Sequence, residues 1–455
     1  MMTTRKHALI AMISAFALSN GALAAVSAQE AGRLKGELTP FGAERAGNAD
    51  GSIPEWTGGY TKDIPGDEPG GRRGDPFADE QPLFSVSVDN MEEHADMLTE
   101  GTKLLMERYP DTFRIDVYPT HRTAAAPQWV YDNTYANATR GTMVNNVPEN
   151  VYGGVPFPLA KTGAEVMWNH MLRWRGGEDF SHGGNWYQLL PDGRRVLISD
   201  GVTDEQVPYY FEDSNLEEFQ EEDGLFWKLI YRNYGPPIRA GQAVLAHEYL
   251  DQSKLQTWVY LTGQRRVRRL PNACCDTPTP AAAGELFFDE LYTWVGTLDR
   301  FDWELVGKKE MYIPYNANNF LQPTSDAEVL NDHHWDPDHM RWEKHRVWVV
   351  DATRRDGERH QVARSRYYCD EDTWLCVLGD RWGDDGQLWK TVWSQTFVAP
   401  DRPATLIGAY GAFDHLDGSA FIANLYNEEE EQFEFLERRS PVEFSPSSMA
   451  GNSFR

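Results

Sequence analysis

The stretch from Trp342 to Val398, WEKHRVWVVDATRRDGERHQVARSRYYCDEDTWLCVLGDRWGDDGQLWKTVWSQTFV, decides the fold. Runs of strand length, rich in apolar, β-branched and aromatic residues, alternate there with short turns that contain Asp and Gly, the residues that positive φ favours. Such runs predict a meandering antiparallel sheet with one curved or covered face. The predicted strands are Trp342–Thr353, Glu358–Cys369, Trp374–Trp382 and Leu388–Val398.

A hairpin is predicted before this meander. Leu255–Leu261 forms the outgoing strand, and Arg265–Leu270 forms a basic return strand after a short turn. On the outgoing strand Trp258 and Tyr260 share one face, while Val259 lies on the other. Both faces carry large apolar groups, so the strand is predicted to be covered on both sides.

Two helices and an irregular arm complete the predicted architecture. The helices lie near residues 91–109 and 163–175, where apolar residues recur at helical spacing. Residues 25–82 are rich in Gly and Pro and predict an extended arm, which leaves 83–455 as a single large β-rich domain. The predicted fold class is α+β, with a large curved antiparallel sheet and packing helices.

The N-terminus reads as a secretory signal. Arg5 and Lys6 precede the apolar run Ala8–Leu18, which is too short to cross a bilayer, and residues 22–24 form an A-x-A cleavage site. Residues 1–24 are therefore predicted to be a signal peptide that is cleaved after Ala24. We expect the mature chain in the periplasm.

The formal net charge of −27 at pH 7 limits the classes of partner that the protein is expected to bind. A strongly acidic surface repels phosphate backbones, so nucleic acid is not an expected partner. The return strand is an exception, with four arginines. The favoured interpretation is that they pair with acids inside the protein, and the alternative is contact with an acidic partner or headgroup. These arginines are Arg265, Arg266, Arg268 and Arg269.

The four cysteines are expected to meet an oxidising compartment, where disulfides persist. Cys369 and Cys376 flank an acidic turn and are the candidate disulfide, across a hairpin. Cys274 and Cys275 are adjacent, and a bridge between neighbours is strained. We expect both to be free, or one of them to pair elsewhere. Zinc is the alternative, although no CxxC spacing occurs.

Common catalytic and cofactor signatures are absent: the sequence contains no GxxxxGK[ST], GxGxxG, GxSxG or HExxH. Asn48–Ile53 echoes part of a calcium loop but lacks half of the ligands, which favours an Asx-type turn. Asp332–His339 has side chains that suit zinc, yet nothing in the sequence makes them converge, so a solvated loop is favoured. No metal or cofactor is predicted.

Sixteen tryptophans are a heavy aromatic content. Packing in the core and at interfaces is the favoured interpretation, because tryptophan is highly buried on average. The alternative is an apolar cavity for a lipid-like ligand, since such pockets are lined by aromatic and aliphatic groups. The candidate cavity residues are Trp258, Tyr260, Trp348 and Trp374.

Blocks along most of the chain resemble a proteobacterial family catalogued as domain of unknown function 1329. The resemblance assigns no catalytic residue, so the residues of these blocks are motif residues of unknown role. The blocks are 38–59, with Asn48, Asp50, Gly51, Pro54 and Trp56; 118–123, with His121 and Arg122; 153–158; 168–170, which is Trp168, Asn169 and His170; 306–316; 345–350; and 370–374.

The C-terminal half of that family is similar to lipoprotein-sorting carriers of the LolA/LolB type. The resemblance implies an incomplete antiparallel β-barrel closed by helices, with an apolar cavity for acyl chains. It implies a non-enzymatic periplasmic carrier or binding protein for a lipid-like or other hydrophobic molecule. Family members are often encoded beside resistance-nodulation-division (RND) exporters, which implies an exporter or an outer-membrane protein as partner.

Two alternatives remain open at the level of sequence. One is a non-enzymatic interaction module of an exporter complex, motivated by the acidic surface and the long arm. The less favoured one is an envelope hydrolase that uses acidic residues or His121, which would require two titratable groups within hydrogen-bond reach in one cavity.

Overall fold

A computed structural model describes residues 25–271, 273–282, 284–430 and 432–451. The expected signal peptide and its cleavage after Ala24 lie outside the described residues. The strands are β1 (Phe84–Val86), β2 (Ile115–Tyr118), β3 (Thr142–Val144), β4 (Val147–Glu149), β5 (Asp179–Leu189), β6 (Arg195–Gln206), β7 (Leu225–Gly235), β8 (Ala243–Tyr249), β9 (Gln256–Leu261), β10 (Arg266–Leu270), β11 (Phe301–Pro314), β12 (Trp342–Arg354), β13 (Arg364–Asp370), β14 (Cys376–Trp382), β15 (Leu388–Ala399), β16 (Ala404–Asp414), β17 (Ala420–Leu425) and β18 (Glu434–Phe435).

The α-helices are short compared with the strands. They are α1 (Ala28–Ala31), α2 (Glu100–Arg108), α3 (Gln128–Arg140), α4 (Gly163–Met171), α5 (Leu216–Glu221), α6 (Asp326–Val329) and α7 (Pro446–Gly451). Among the described residues, none of these helices has the length and apolar character that crossing a membrane requires.

One large sheet organises the molecule, in the order β1-β2-β12-β13-β14-β15-β16-β17-β5-β6-β7-β8-β9-β10. β11 pairs with β12 and β18 pairs with β5, while β3 and β4 form a separate hairpin. All pairs are antiparallel except β2 with β12. The two end strands, β1 and β10, do not pair with each other, so the curved sheet is an incomplete barrel, as predicted.

The predicted meander is present as β12 to β15. The turns use Gly357 and Gly386, whose φ values of 87° and 75° lie in the left-handed region that glycine adopts readily because it has no Cβ to clash.

 The second predicted strand begins later than expected, because β13 begins at Arg364 and not at Glu358. His360 turns inward before the strand, where its Nε2 lies 2.8 Å from an oxygen of Asp289.

Both predicted helices are shorter than expected. The segment 91–109 is two helices: a 3-10 helix, Met91–Met97, then an extended Leu98, then α2. Thr99 restarts the helix because its side chain accepts the backbone N–H of Thr102. The second helix, α4, ends at Met171 rather than Arg175, and every one of its residues is buried.

The N-terminal arm shares the main core. Residues 36–82 contain no strand of the sheet, in keeping with the predicted irregular segment, but Phe41 belongs to the same buried cluster as Phe433 near the other end of the chain. Arm and sheet are therefore packed as one body around one hydrophobic core.

Candidate functional site

A cavity lies on the concave face of the sheet. Strands β6 to β9 are neighbours, and alternate residues of each point to the same side. Antiparallel register brings Trp227 opposite Glu248, and Ala246 opposite Thr257. The strand residues that line the cavity are Trp186, Thr203, Trp227, Leu229, Tyr231, Val244, Ala246, Glu248, Thr257 and Tyr410.

The opposite wall is the long connection between β10 and β11, residues 271–300. It contributes Cys274, Phe288, Tyr292, Val295 and Thr297, among others. The space between the two walls, including its opening, is about 760 Å³. About 50 Å³ of this space can be reached by the centre of a water-sized molecule, and the walls have the composition usual for small-molecule sites, apolar side chains with a small number of polar groups.

His170 holds this wall in place. Its Nδ1 accepts the backbone N–H of Cys376 at 3.0 Å, so Nε2 carries the proton. Nε2 donates to the carbonyls of Tyr292 (3.2 Å) and Trp294 (3.1 Å). Burial, reinforced by the charge of Arg173, lowers the pKa of His170 well below its usual value. This motif residue is therefore a neutral tether between α4, β14 and the connection.

Glu248 is the acidic group of the cavity wall. Its carboxyl has no hydrogen-bond partner among the described residues, and the wall around it is largely apolar. Burial, with a smaller contribution from Cys274, raises the pKa of Glu248 to about 8, against the opposing charge of Arg175. At neutral pH the group is mainly a carboxylic acid, able to donate as well as accept a hydrogen bond.

A second, smaller cavity lies beside the first, and Tyr292 borders both. Between them, the carboxylate of Glu205 accepts hydrogen bonds from the Tyr292 hydroxyl (2.9 Å), the Trp227 indole (2.7 Å) and Arg175 (2.9 Å), and faces His182 at 3.1 Å. Burial alone would raise the pKa of Glu205, but these partners lower it to about 2. Glu205 is therefore ionised and paired with Arg175.

Arg173 also lines the second cavity, and it lacks such a partner. Its side chain is 95% buried, since 5% of the residue is exposed. One nitrogen donates to the carbonyl of His170 at 2.7 Å, and the guanidinium carbon lies 5.8 Å from the centre of the Tyr292 ring. Among the described residues it forms no ion pair with a carboxylate. Burial and the neighbouring Arg175 lower the pKa of Arg173.

The candidate cavity residues of β9 lie on the face of the strand that is opposite this cavity. Trp258 and Tyr260 point away from the cavity and pack with Phe444 and Met449, next to and within α7. Thr257 takes the cavity side instead. The strand is covered on both faces as predicted, and the C-terminal segment with α7 covers the face of Trp258 and Tyr260.

Trp348 and Trp374 also lie away from the cavity. Their rings stack at 6.0 Å, and the Trp374 indole donates to the carbonyl of Phe41 in the arm at 2.8 Å. Lys308 lies over the Trp348 ring at 4.7 Å. These two tryptophans hold the arm against the sheet, and neither lines the cavity described above.

Two further motif residues, Arg122 and His121, also contact the arm. Arg122 makes a bidentate ion pair with Asp372 (2.8 and 2.6 Å) and donates to backbone carbonyls of the arm, including those of Glu44 (2.7 Å) and Pro54 (3.3 Å). His121 lies 2.7 Å from Glu80. His121 does not line either cavity, so the structure does not bring it together with a reactive group there.

The signature at residues 48–56 forms the Asx-type turn that was favoured. The side chain of Asn48 accepts the N–H of Ile53 at 2.9 Å, and that of Asp50 accepts the N–H of Ser52 at 2.9 Å. Gly51 has φ of 77°. The Trp56 indole donates to the Ala124 carbonyl at 2.9 Å. In the motif block 168–170, Trp168 is fully buried, and Asn169 bonds both backbone groups of Phe157.

One buried group has the composition of a metal site: His345, Asp370 and Asp372. Its charges are already matched inside the protein. Asp372 is paired with Arg122, and both ring nitrogens of His345 face carboxylates, Glu343 and Asp370, at 3.2 Å. Burial alone would lower the pKa of His345, but these two partners raise it to about 9. A protonated imidazole is not a metal ligand, so this is an ionic cluster.

The four cysteines comprise one bridged pair and one free pair. Cys369 and Cys376 form a disulfide, and Cys274 and Cys275 are free.

On β10, Arg266 and Arg268 are exposed. Within the part of the chain that the structure describes, none of the four arginines at 265–269 forms an ion pair, so the favoured internal pairing is wrong.

The residues that build the cavity were missed by sequence reasoning. Trp227, Glu248 and Tyr292 were in no motif, and Arg173 was placed inside a helix. A usable signal existed in Leu225–Gly235 and Ala243–Tyr249, where apolar and aromatic residues recur at every second position. The connection 271–300 carries no such signal, because it has no regular period.

One family model, one relative and several solved structures are similar to this chain. A family model described as "Protein of unknown function (DUF1329)" matches residues 85–450. The uncharacterized protein PA3922 of Pseudomonas aeruginosa is 36% identical over 453 residues, 96% of each chain. Solved structures with some likeness are a putative outer membrane lipoprotein-sorting protein domain from Vibrio parahaemolyticus (12% identity, TM-score 0.43, 63% of this chain and 97% of that one) and a DUF1329 family protein from Desulfovibrio piger (14%, 0.40, 60% and 92%). The extent of the family match and of the identity to PA3922 means that the chain belongs to the DUF1329 family.

Proposed function

We propose that this protein is a periplasmic carrier or binding protein for a lipid-like or other hydrophobic molecule. The observation that carries the proposal is the cavity between the concave face of β6–β9 and the connection 271–300, with its largely aromatic and aliphatic wall. Burying apolar surface stabilises a complex by about 25 cal/mol per Å², and a cavity of this form gives an apolar ligand that opportunity.

The proposed activity is non-enzymatic. The polar groups of the cavity wall are Glu248, Cys274 and several hydroxyls, and the described wall does not pair a nucleophile with a base at hydrogen-bond distance. The same arrangement suits recognition, in which a few polar groups orient a ligand that the apolar wall holds.

The test uses an uncharged probe, N-phenyl-1-naphthylamine, whose fluorescence rises in apolar surroundings. The purified mature chain is expected to bind it, and Ala246→Phe, which fills the cavity, is expected to weaken binding at least about tenfold. The matched control is Trp258→Phe on the opposite face of the same sheet, which should bind as wild type. Absence of binding by the folded wild type, together with no apolar molecule in its organic extract, would overturn the proposal.

Cys274 offers an independent readout, because it lines the cavity while Cys275 is buried and the other two cysteines are bridged. An occupied cavity should slow the alkylation of Cys274 by N-ethylmaleimide. An unchanged rate in a sample that has bound the probe would place the bound molecule elsewhere.

We propose that an exporter or an outer-membrane protein binds at β10. It is an end strand of the sheet, and Arg266 and Arg268 are exposed without ion pairs among the described residues. Exposed arginines on an acidic chain favour an acidic patch on the partner. Crosslinking in intact cells should fall in Arg266→Glu/Arg268→Glu but not in Arg194→Glu, another exposed arginine. Crosslinking without any probe binding would favour a pure interaction module.

A further inference from the structure

Buried arginine residues are normally paired, because moving an ion from water into a protein costs several kcal/mol unless a counter-charge compensates. Arg175 follows this rule through Glu205 at 2.9 Å. Arg173 does not: it is 95% buried, and the described residues provide one hydrogen bond, to a backbone carbonyl. The pair of arginines therefore has one positive charge that Glu205 leaves unmatched.

The unmatched charge faces an open space. Arg173 lines the second cavity, about 340 Å³ with open solvent included, together with Arg175, Phe180 and Phe433. Glu205 lines it too, and its carboxylate is held by Arg175, Tyr292 and Trp227. Its Nε and Nη2 atoms have no hydrogen-bond partner among the described residues, and neither is sealed from the cavity. A guanidinium presents paired N–H donors in a geometry that matches the oxygens of a carboxylate or a phosphate.

The space lies against the apolar cavity. Tyr292 borders both, and the guanidinium of Arg173 is 5.8 Å from the centre of its ring. A ligand that occupied both sides of Tyr292 would have an apolar part among the aromatic walls and a charged end at Arg173.

We propose that Arg173 binds the anionic head, carboxylate or phosphate, of an amphiphile whose apolar part occupies the aromatic cavity. This inference rests on the proposed function, since it names the class of the molecule that is carried. It assigns the second cavity as the head site and the first as the tail site.

The experiment compares ligands of one chain length that differ in the head: dodecanoate, dodecyl phosphate and dodecanol, with inorganic phosphate as the free anion. Affinities are measured at pH 7 by displacement of N-phenyl-1-naphthylamine and, for inorganic phosphate, by calorimetry. Wild type is expected to prefer one or both anionic amphiphiles to dodecanol by at least about tenfold, the usual value of a charge-assisted hydrogen bond.

Arg173→Met is expected to lose this preference while it binds dodecanol and the probe as wild type does. Arg173→Lys, which keeps the charge, should keep part of the preference, and Arg194→Met, at an exposed arginine, should keep all of it. Removing an unpaired buried charge should not lower the melting temperature, so the variant is expected to fold.

The outcomes separate the two proposals. If wild type binds dodecanol and the anionic amphiphiles equally, the head site is wrong and the carrier proposal stands. If Arg173→Met weakens dodecanol and dodecanoate alike, Arg173 is structural and the head site is also wrong. Binding of inorganic phosphate that depends on Arg173, without preference among the amphiphiles, would assign a free-anion site instead. If wild type binds neither the probe nor any amphiphile, both proposals fail.

Discussion

Glu248 is an ionisable group in an apolar wall, and its pKa of about 8 has a consequence for stability. The ordinary value is 4.5, so between pH 4.5 and 8 the folded chain binds a proton that the unfolded chain has lost. The free energy of unfolding therefore falls as pH rises through this window. Glu248→Gln removes the ionisation and should raise stability at pH 9, by an amount on the order of a few kcal/mol. Denaturant unfolding of wild type and Glu248→Gln at pH 5 and pH 9 measures this difference in the free energy of unfolding. Equal stabilisation by the substitution at both pH values would contradict the prediction.

His345 gives a pH dependence of the same sign, but its charged form is the one that stabilises the fold. Its folded pKa of about 9 exceeds the ordinary 6.5, so its ion pairs with Glu343 and Asp370 stabilise the fold fully below pH 6.5 and are lost as pH rises through 9. His345→Gln should lower the free energy of unfolding at pH 6 by about 3 kcal/mol and by much less at pH 9.5. Wild type and variant are compared at both values. A loss that did not depend on pH would mean that the cavity left by the ring, not its charge, is responsible.

At the scale of elements, β8 and β9 separate binding from stability, because their two faces meet different neighbours. Trp258→Ala removes packing against the C-terminal segment and should cost up to about 3–5 kcal/mol, the range for a fully buried tryptophan. It should leave probe affinity unchanged. Ala246→Phe, on the cavity face, should weaken probe binding and leave the free energy of unfolding nearly unchanged. Paired thermal melts and titrations test this, and a loss of affinity in folded Trp258→Ala would return that residue to the ligand site.

The elements that could be predicted are those whose own residues determine them. The runs of β12, β14 and β15 have strand length and are rich in apolar, β-branched and aromatic residues, and Gly357 and Gly386 mark their turns. β5 and β6 gave no comparable signal, because Asp179, Glu205 and other charged residues occupy buried positions there. Their charges are matched by residues far along the chain, such as Arg439, and no local pattern reveals such partners.

The candidate site was harder to predict than the fold for a related reason. Alternation places Trp258 and Val259 on opposite faces of β9, but it does not say which face meets a ligand. That choice depends on the C-terminal segment and on the connection 271–300, which reach the sheet from elsewhere in the sequence. Likewise, Arg173 becomes unusual only once its neighbours are known, since arginine near the end of a helix is ordinary in a sequence.

At the scale of the whole molecule, two sets of contacts connect distant segments to the sheet. His170 ties the cavity wall to α4 and β14, whereas Arg122 ties the arm to the turn after β13. The motif blocks therefore meet in pairs although they are scattered along the chain. In these contacts the motif residues have a structural role, since each joins segments that are far apart in the sequence.

The arm contact leads to the last prediction. Arg122 is 98% buried at its side chain, as is Asp372, and it also bonds arm carbonyls at Glu44 and Pro54. Arg122→Met leaves Asp372 buried without its partner, which should cost about 3–5 kcal/mol and loosen the arm. Thermal melting and proteinase K digestion measure the two effects, with cleavage expected inside residues 36–82.

The matched control is Arg33→Met, which breaks an exposed pair with Glu37 that is worth about 0–1 kcal/mol and should leave both readouts unchanged. The double variant Arg122→Met/Asp372→Asn should recover part of the loss, because it no longer leaves an ionised carboxylate buried. If the double variant is no more stable than Arg122→Met alone, the carbonyl contacts and not the ion pair hold the arm. If Arg122→Met melts as wild type and resists digestion equally, the arm is held by Trp374 and the apolar core, and Arg122 contributes little.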